Sequence, residues 1–233
     1  MTAELLAAFA ALSTPHVADA CMRLGLPVRC APSGMRAVQS GVHVVGRALP
    51  AQHTGSVDVF LEAMEQAEPG DVLVVDDGGR TDRACVGDLV ALEAVGAGIA
   101  GVVIWGLHRD TPELREIGLP VVSLGTSPTG PASAEPQPVD ALERANCGEH
   151  EATRDDLVLV DDDGVILVGL EHAGAVADAA AAIRDTERQQ AAAMASGTSL
   201  REQLRFTAYL AARSERGIGF REHLRSLGGA IEE

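Results

Sequence analysis

The sequence predicts an α/β protein, and three observations predict it. First, short β-branched runs bounded by glycine and acid, VLVV at residues 72–75 and GVVIW at residues 101–105, read as buried parallel strands. Second, the stretch between and after them carries helix signals. Asp88 is placed to cap a helix over residues 89–97, closed by Gly98, and Thr111-Pro112-Glu113 reads as N-cap, first helical residue and first-turn acid. Third, hydrophobic residues make up 46% of the chain but aromatics only 3%, so the core must be built from Ala, Val, Leu and Ile. At 233 residues the chain suits one domain with an extension and can bury a sizeable core.

Taken in order, TAELLAAFAALST is an amphipathic helix stopping near Thr14-Pro15, and a second helix runs from His16 to Gly25. Residues 26–40 read as loop, 41–49 as an alternating strand and 57–67 as a helix ended by Pro69-Gly70. LPVVSLG continues the strand series, and the Pro-, Ser- and Gly-rich residues 126–138 cross the surface irregularly. Residues 155–169, DDLVLVDDDGVILVG, read as a hairpin. Its acidic run Asp161-Asp162-Asp163 is a turn, because the alternating oxygen ligands and distal Glu of a calcium loop are missing. An Ala-rich helix covers residues 172–195 and Gly197 breaks it. Residues 1–195 are thus read as the core and 196–233 as a helical extension. The extension has one apolar stripe of Leu200, Leu204 and Tyr209 and a second of Phe220, Leu224 and Leu227, suiting two short amphipathic helices that cover a surface.

The formal net charge of -16 argues against nucleic acid or an anionic membrane as partner, since both call for basic patches. A small anionic substrate is compatible with it, because one arginine and a cation override the global field locally. Cys21, Cys30, Cys85 and Cys147 have no paired metal spacing and read as buried free thiols. With no signal peptide and no run near the ~18 apolar residues of a span, the chain is expected to be cytoplasmic.

Candidate chemistry centres on Gly87-Asp88, then 20 residues, then Arg109-Asp110, then two residues, then Glu113. Asp88 lies at a helix N-terminus, and Arg109-Asp110 lie beyond the C-terminal end of a strand, where ligands bind in open α/β sheets. Free N–H groups near Leu89 and Val90 suit an anion. An arginine grips a carboxylate with two parallel hydrogen bonds. Two nearby carboxylates suit a hard divalent cation that keeps several waters. A solvated cap and a surface ion pair would give the same spacing.

That pattern, preceded by PGDVLVVDD and followed by GLPVVSLGTSPTGP, resembles the RraA-like family, which includes the regulator of ribonuclease E activity and the class II 4-hydroxy-4-methyl-2-oxoglutarate aldolases. The resemblance runs from about Leu12 to Glu187 and includes the late DDLVLVDDDGVILV pair. It implies a layered α/β/α-type sandwich assembled as homotrimers or hexamers. It implies Mg²⁺ or Mn²⁺ bound directly by Asp110 and, through water, by Asp88, with Arg109 contacting a small 2-oxo acid. Backbone amides around Gly87, Leu89 and Val90 would hold the substrate carboxylate. Glu113 and, from a neighbouring subunit, Glu187 are further acids at the metal position. Trp105 departs from the family, whose aldolases often carry Asp there, and His108 beside the arginine is unusual. It is read as a bystander or an added proton donor. Two functions follow: a metal-dependent lyase cleaving a 4-hydroxy-2-oxo acid, with oxaloacetate decarboxylation as an allied activity, or a non-catalytic protein that inhibits a ribonuclease or another partner.

Overall fold

The computed structural model describes residues 1–227. Helices α1 (Ala3–Phe9) and α2 (Thr14–Arg23) lead to two-residue strands β1 (Arg29–Cys30) and β2 (Arg36–Ala37), then to the long strand β3 (Val44–Gln52). The middle of the chain alternates: α3 (Asp58–Glu65), β4 (Val72–Asp76), β5 (Ala84–Val86), α4 (Asp88–Gly96), β6 (Gly101–Trp105), β7 (Leu107–His108), α5 (Thr111–Ile117) and β8 (Val121–Ser123). Four strands follow: β9 (Arg144–Cys147), β10 (His150–Thr153), β11 (Asp156–Asp161) and β12 (Gly164–Gly169). The chain closes with α6 (Leu170–Ala195), α7 (Leu200–Gln203), α8 (Phe206–Arg216) and α9 (Phe220–Leu227).

The main sheet has eight strands in the order β1-β12-β11-β3-β4-β6-β8-β2. Its centre, β3-β4-β6-β8, is parallel, as the β-branched runs predict, and the hairpin β11-β12 adds antiparallel to β3. Side chains alternate along β3. Leu49 and Ala51 join the core under α3, α4 and α5, Val45 packs against the core under α1, α2 and α6, and Val44 and Ala48 point to the opposite face. Both helical groups therefore pack on one surface of the sheet. The other surface gathers Val72, Val74, Val103, Val122, Val158 and Val160 from four strands into one cluster, which a curled sheet allows. The α/β architecture is as expected, and the curl is the detail that a linear pattern does not carry. No single helix among the described residues is long and apolar enough to cross a membrane. Among the described residues α1 and α2 are long and apolar enough only when taken together, and they meet at 101° with Phe9, Val17 and Ala20 buried in the core.

Two local readings are refined, and the structure adds a hairpin, β9–β10, in a segment the sequence left unread. Residues 26–40 are not all loop: β1 and β2 extend the two edges of the sheet by pairing with β12 and β8. At two residues each, they show no alternation to read. The hairpin β9–β10 covers the inner core with Ala145, Cys147 and Ala152. Its alternation about Gly148 is visible in RANCGEHEAT. The acidic turn is structural: Asp161 accepts hydrogen bonds from the Thr14 N–H and hydroxyl at 2.7 Å each, and Asp162 accepts from the Gly41 N–H at 2.8 Å. Those bonds tie the hairpin tip to the start of α2 and to the segment ahead of β3.

The extension folds into three helices rather than two, because Arg205 adopts a left-handed conformation (φ 46°) and separates α7 from α8. Its apolar stripes converge on each other. Tyr209 packs on Phe220 with ring centroids 4.8 Å apart, Phe206 and His223 flank them, and Leu224 is 1% exposed. The Gln203 side chain donates to the Gln190 carbonyl, docking the unit on the end of α6 of its own chain. Residues 228–233 of the extension lie outside the described residues. Leu224→Ala removes a fully buried side chain and should cost about 2–5 kcal/mol, more than so small a unit can spare. Trypsin should then cut after Arg201 or Arg205 while the preceding core survives; equal resistance in wild type and variant would contradict this packing.

Candidate active site

Two very short strands build the site. β5 and β7 pair in parallel, Ala84 opposite Leu107 and Val86 opposite His108, and the Arg109 N–H donates to the Val86 carbonyl at 2.9 Å. Residues that follow each strand are thereby set side by side: Gly87-Asp88 and Arg109-Asp110. The 20-residue spacing in sequence is α4 and β6, the crossover that returns the chain to this point.

Both helix starts lie one residue earlier than the sequence suggests. α4 begins at Asp88, with Gly87 in the cap position, so Asp88 is not itself the cap. Its Oδ1 accepts the Leu89 N–H at 2.8 Å. α5 begins at Thr111, and its cap position is held by Asp110 in the left-handed region (φ 58°, ψ 43°). Asp tolerates that conformation better than most residues, and here it turns the carboxylate back toward α4. Asp110 Oδ2 lies 3.3 Å from Arg109 Nε and 3.4 Å from the Asp88 N–H. Gly87 permits this approach, since a Cβ there would stand 2.4 Å from Asp110 Oδ2.

Gly87, Asp88 and Arg109 line a cleft of about 450 Å³ together with Leu89, Val90, His53, Cys85 and Pro131, and Asp110 reaches it only through its contacts with Arg109 and the Asp88 N–H. The surface excursion reaches the site too: a Cβ on Gly130 would lie 2.9 Å from Arg109 Nη1. Neither Nη of Arg109 makes a hydrogen bond among the described residues, and its side chain is 48% exposed. A planar guanidinium is thus presented to the cleft with its outer edge open. Asp110 Oδ1, Asp88 Oδ2 and the Val90 N–H likewise have no protein partner among the described residues. Two half-exposed carboxylates with free oxygens, and no nitrogen or sulfur donor between them, suit a hard cation that retains water.

Of the remaining sequence candidates, Glu113 is exposed on α5 and is not among the cleft-lining residues. Glu187 sits on α6 and pairs with His16 Nε2 at 3.0 Å, while His16 also closes the capping box with Ser13 at the start of α2. Within one chain Glu187 does not line the cleft. His108 is a structural group: buried, it bonds Ser123 Oγ at 2.7 Å and Thr111 Oγ1 at 2.9 Å. Burial holds its pKa below the ordinary value, which favours the neutral ring. Trp105 lies against the loop after β4, where a Cβ on Gly79 would meet its ring at 2.6 Å. Sequence reasoning missed His53, Asp77 and Gly130, which come from separate segments with no spacing to link them.

The family model for RraA-like proteins, described as Aldolase/RraA, matches residues 14–167, more than half of the chain. A Bacillus anthracis protein provisionally named 4-hydroxy-4-methyl-2-oxoglutarate aldolase is 35% identical over 106 residues, 46% of this chain and 65% of its own length. A Halalkalibacterium halodurans protein of the same name is 34% identical over 137 residues, 58% of this chain and 64% of its own. The matches thus span just under two thirds of these relatives. Among solved structures, Streptomyces coelicolor RraAS2, described as an unusual member of the RNase ES inhibitor RraA family, superposes with a TM-score of 0.72 at 30% identity, covering 80% of this chain and 96% of that one. The RNA-processing inhibitor RraA from Thermus thermophilis gives 0.53 at 28%, covering 60% and 85%. On the family match and the shared fold, this chain belongs to the RraA-like family.

Proposed function

We propose that the chain is a divalent-metal-dependent lyase that cleaves a 4-hydroxy-2-oxo acid to pyruvate and a second 2-oxo acid. This reading is carried by the placement of Asp88 and Arg109 on one cleft with Asp110 in contact with both, which sets free carboxylate oxygens beside the guanidinium. The names of the aldolase-like relatives support it. Asp110 directly, and Asp88 through water, would hold Mg²⁺ or Mn²⁺, which when bound supplies Lewis-acid polarisation of the 2-oxo acid. Arg109 would bind and orient the substrate's 2-oxo group and place positive charge where negative charge develops as the C3–C4 bond breaks. The N–H groups at the start of α4, Val90 foremost, would receive the substrate carboxylate. Asp88 would order a water that accepts the 4-hydroxyl proton. With 4-hydroxy-4-methyl-2-oxoglutarate, one substrate should yield two pyruvates in the presence of Mn²⁺. No cleavage of this compound or of other 4-hydroxy-2-oxo acids would reject the reading in favour of a non-catalytic inhibitor of a ribonuclease or another partner.

The same reading includes a homotrimer, or a hexamer built from it. Leu89 (75% exposed), Leu92 (52%) and Val95 (49%) on α4, with Val57 (49%) at the cap of α3 and Leu61 (45%) on it, leave apolar side chains exposed next to the cleft. A neighbouring copy seated there would cover them and wall the cleft. Light scattering should give at least three chains per particle, and Leu92→Glu should reduce it to smaller species. A wild-type monomer at micromolar concentration would contradict the assembly.

A further inference from the structure

Beneath the acid–arginine set, the cleft floor holds polar groups with no part in the chemistry above. His53 follows β3, Asp77 follows β4 and Cys85 is the middle residue of β5. His53 Nδ1 lies 2.7 Å from Asp77 Oδ1, with side chains 2% and 1% exposed. The imidazole is held flat against Phe60, with ring centroids 5.2 Å apart and planes 11° from parallel. One donor atom from each of His53, Asp77 and Cys85 lies within 4.8 Å of the other two. His53 and Cys85 line the cleft, so the cluster is in reach of small solutes.

A buried His–Asp hydrogen bond accounts for Asp77 Oδ1 alone. Asp77 Oδ2 is also buried and has no partner. An ionised carboxylate oxygen taken from water without replacement loses its full solvation, and native proteins seldom leave one so. Cys85 does not read as a nucleophile: burial and the nearby Asp77 charge push its thiol well above the usual range, and its sulfur sits 3.6 Å from the Leu107 carbonyl. A cation would answer both features, satisfying the orphan oxygen and drawing the proton from the thiol. The donor set decides which cation. Nitrogen, oxygen and sulfur together suit a borderline-soft ion, whereas Mg²⁺ and Ca²⁺ take oxygen.

We propose that His53, Asp77 and Cys85 form a binding site for a zinc-class divalent ion, with three protein ligands and a fourth position open to the cleft. It is separate from the hard-cation position at Asp110 and does not depend on the lyase reading. On binding, the Cys85 thiol proton passes to solvent, so affinity rises with pH. The ion would join the ends of β3 and β4 to β5, the strand that carries Gly87 and Asp88.

The test uses the full chain with Co²⁺ as the spectroscopic stand-in for Zn²⁺. Titration should saturate at one ion per chain with a thiolate-to-cobalt charge-transfer absorption, and Zn²⁺ should displace it. Cys85→Ser should abolish that absorption. His53→Gln should weaken Zn²⁺ binding by at least the roughly 10–100-fold that loss of an outer-shell partner causes. Asp110→Asn should leave the absorption intact even when it removes Mg²⁺- or Mn²⁺-dependent activity, which keeps the two sites apart. Folded wild-type protein that gives no thiolate–cobalt absorption and retains no zinc would overturn the proposal. So would an absorption unchanged in Cys85→Ser, since the ion would then sit on another thiol.

Discussion

Asp110→Ala is expected to abolish metal-dependent pyruvate release, with a loss on the order of 10³-fold or more in kcat/KM. Lewis-acid stabilisation is worth several kcal/mol, and each 1.36 kcal/mol is tenfold. The backbone complicates this variant, because residue 110 is left-handed (φ 58°) and Ala is strained there. Asp110→Asn separates the two effects. It tolerates the same conformation and keeps the side chain's shape, but loses the charge. Both variants should lose activity, and the Asn variant should keep the wild-type thermal midpoint more closely. Titrating Mg²⁺ and Mn²⁺ into each variant reads the outcome directly. Wild-type activity in Asp110→Asn would remove this residue from the metal site.

Arg109→Lys is the second large effect, expected at about 10²–10³-fold in kcat/KM, the range seen when one donor to a developing oxyanion is removed. The charge is retained, so the loss would come from geometry: an ammonium is a point donor and cannot reproduce a planar two-pronged grip. The guanidinium is positioned from two sides, by Asp110 Oδ2 at Nε and by the close approach of Gly130 at Nη1. A lysine would keep neither orientation. Steady-state kinetics with a 2-oxo acid substrate decides the matter, and full activity in Arg109→Lys would make Arg109 a structural residue.

The parallel strands at residues 72–76 and 101–105 were legible because β-branched runs between glycines have few alternatives in a buried sheet. Asp88, Arg109 and Asp110 were legible as a set because their spacing matches a family pattern, and in the structure Asp88 and Arg109 line one cleft while Asp110 touches both. The cap positions were misread by one residue at both helices. Residue type favours Asp88 and Thr111 as caps, whereas a left-handed Asp110 and an extended Gly87 occupy those places. Such backbone choices are fixed by the β5–β7 pairing, and strands of three and two residues leave no periodic trace. The His53–Asp77–Cys85 cluster was invisible for a different reason. His53 and Asp77 follow the paired strands β3 and β4 of the main sheet, whereas Cys85 sits in the separate β5–β7 pair, and only the folded chain brings one donor atom of each within 4.8 Å. In the extension Tyr209 of one stripe packs on Phe220 of the other, which nothing in their spacing shows, while Leu200 stays exposed.

The most direct measurement is pyruvate release from oxaloacetate by the purified chain, followed with Mg²⁺ or Mn²⁺, after chelation, and after the metal is restored. Release above the rate of the same ion without protein is expected with either ion, none above that rate after chelation, and recovery on adding the ion back. Release that persists undiminished under chelator, or no release above that rate under any of these conditions, would contradict a metal-dependent lyase acting on 2-oxo acids.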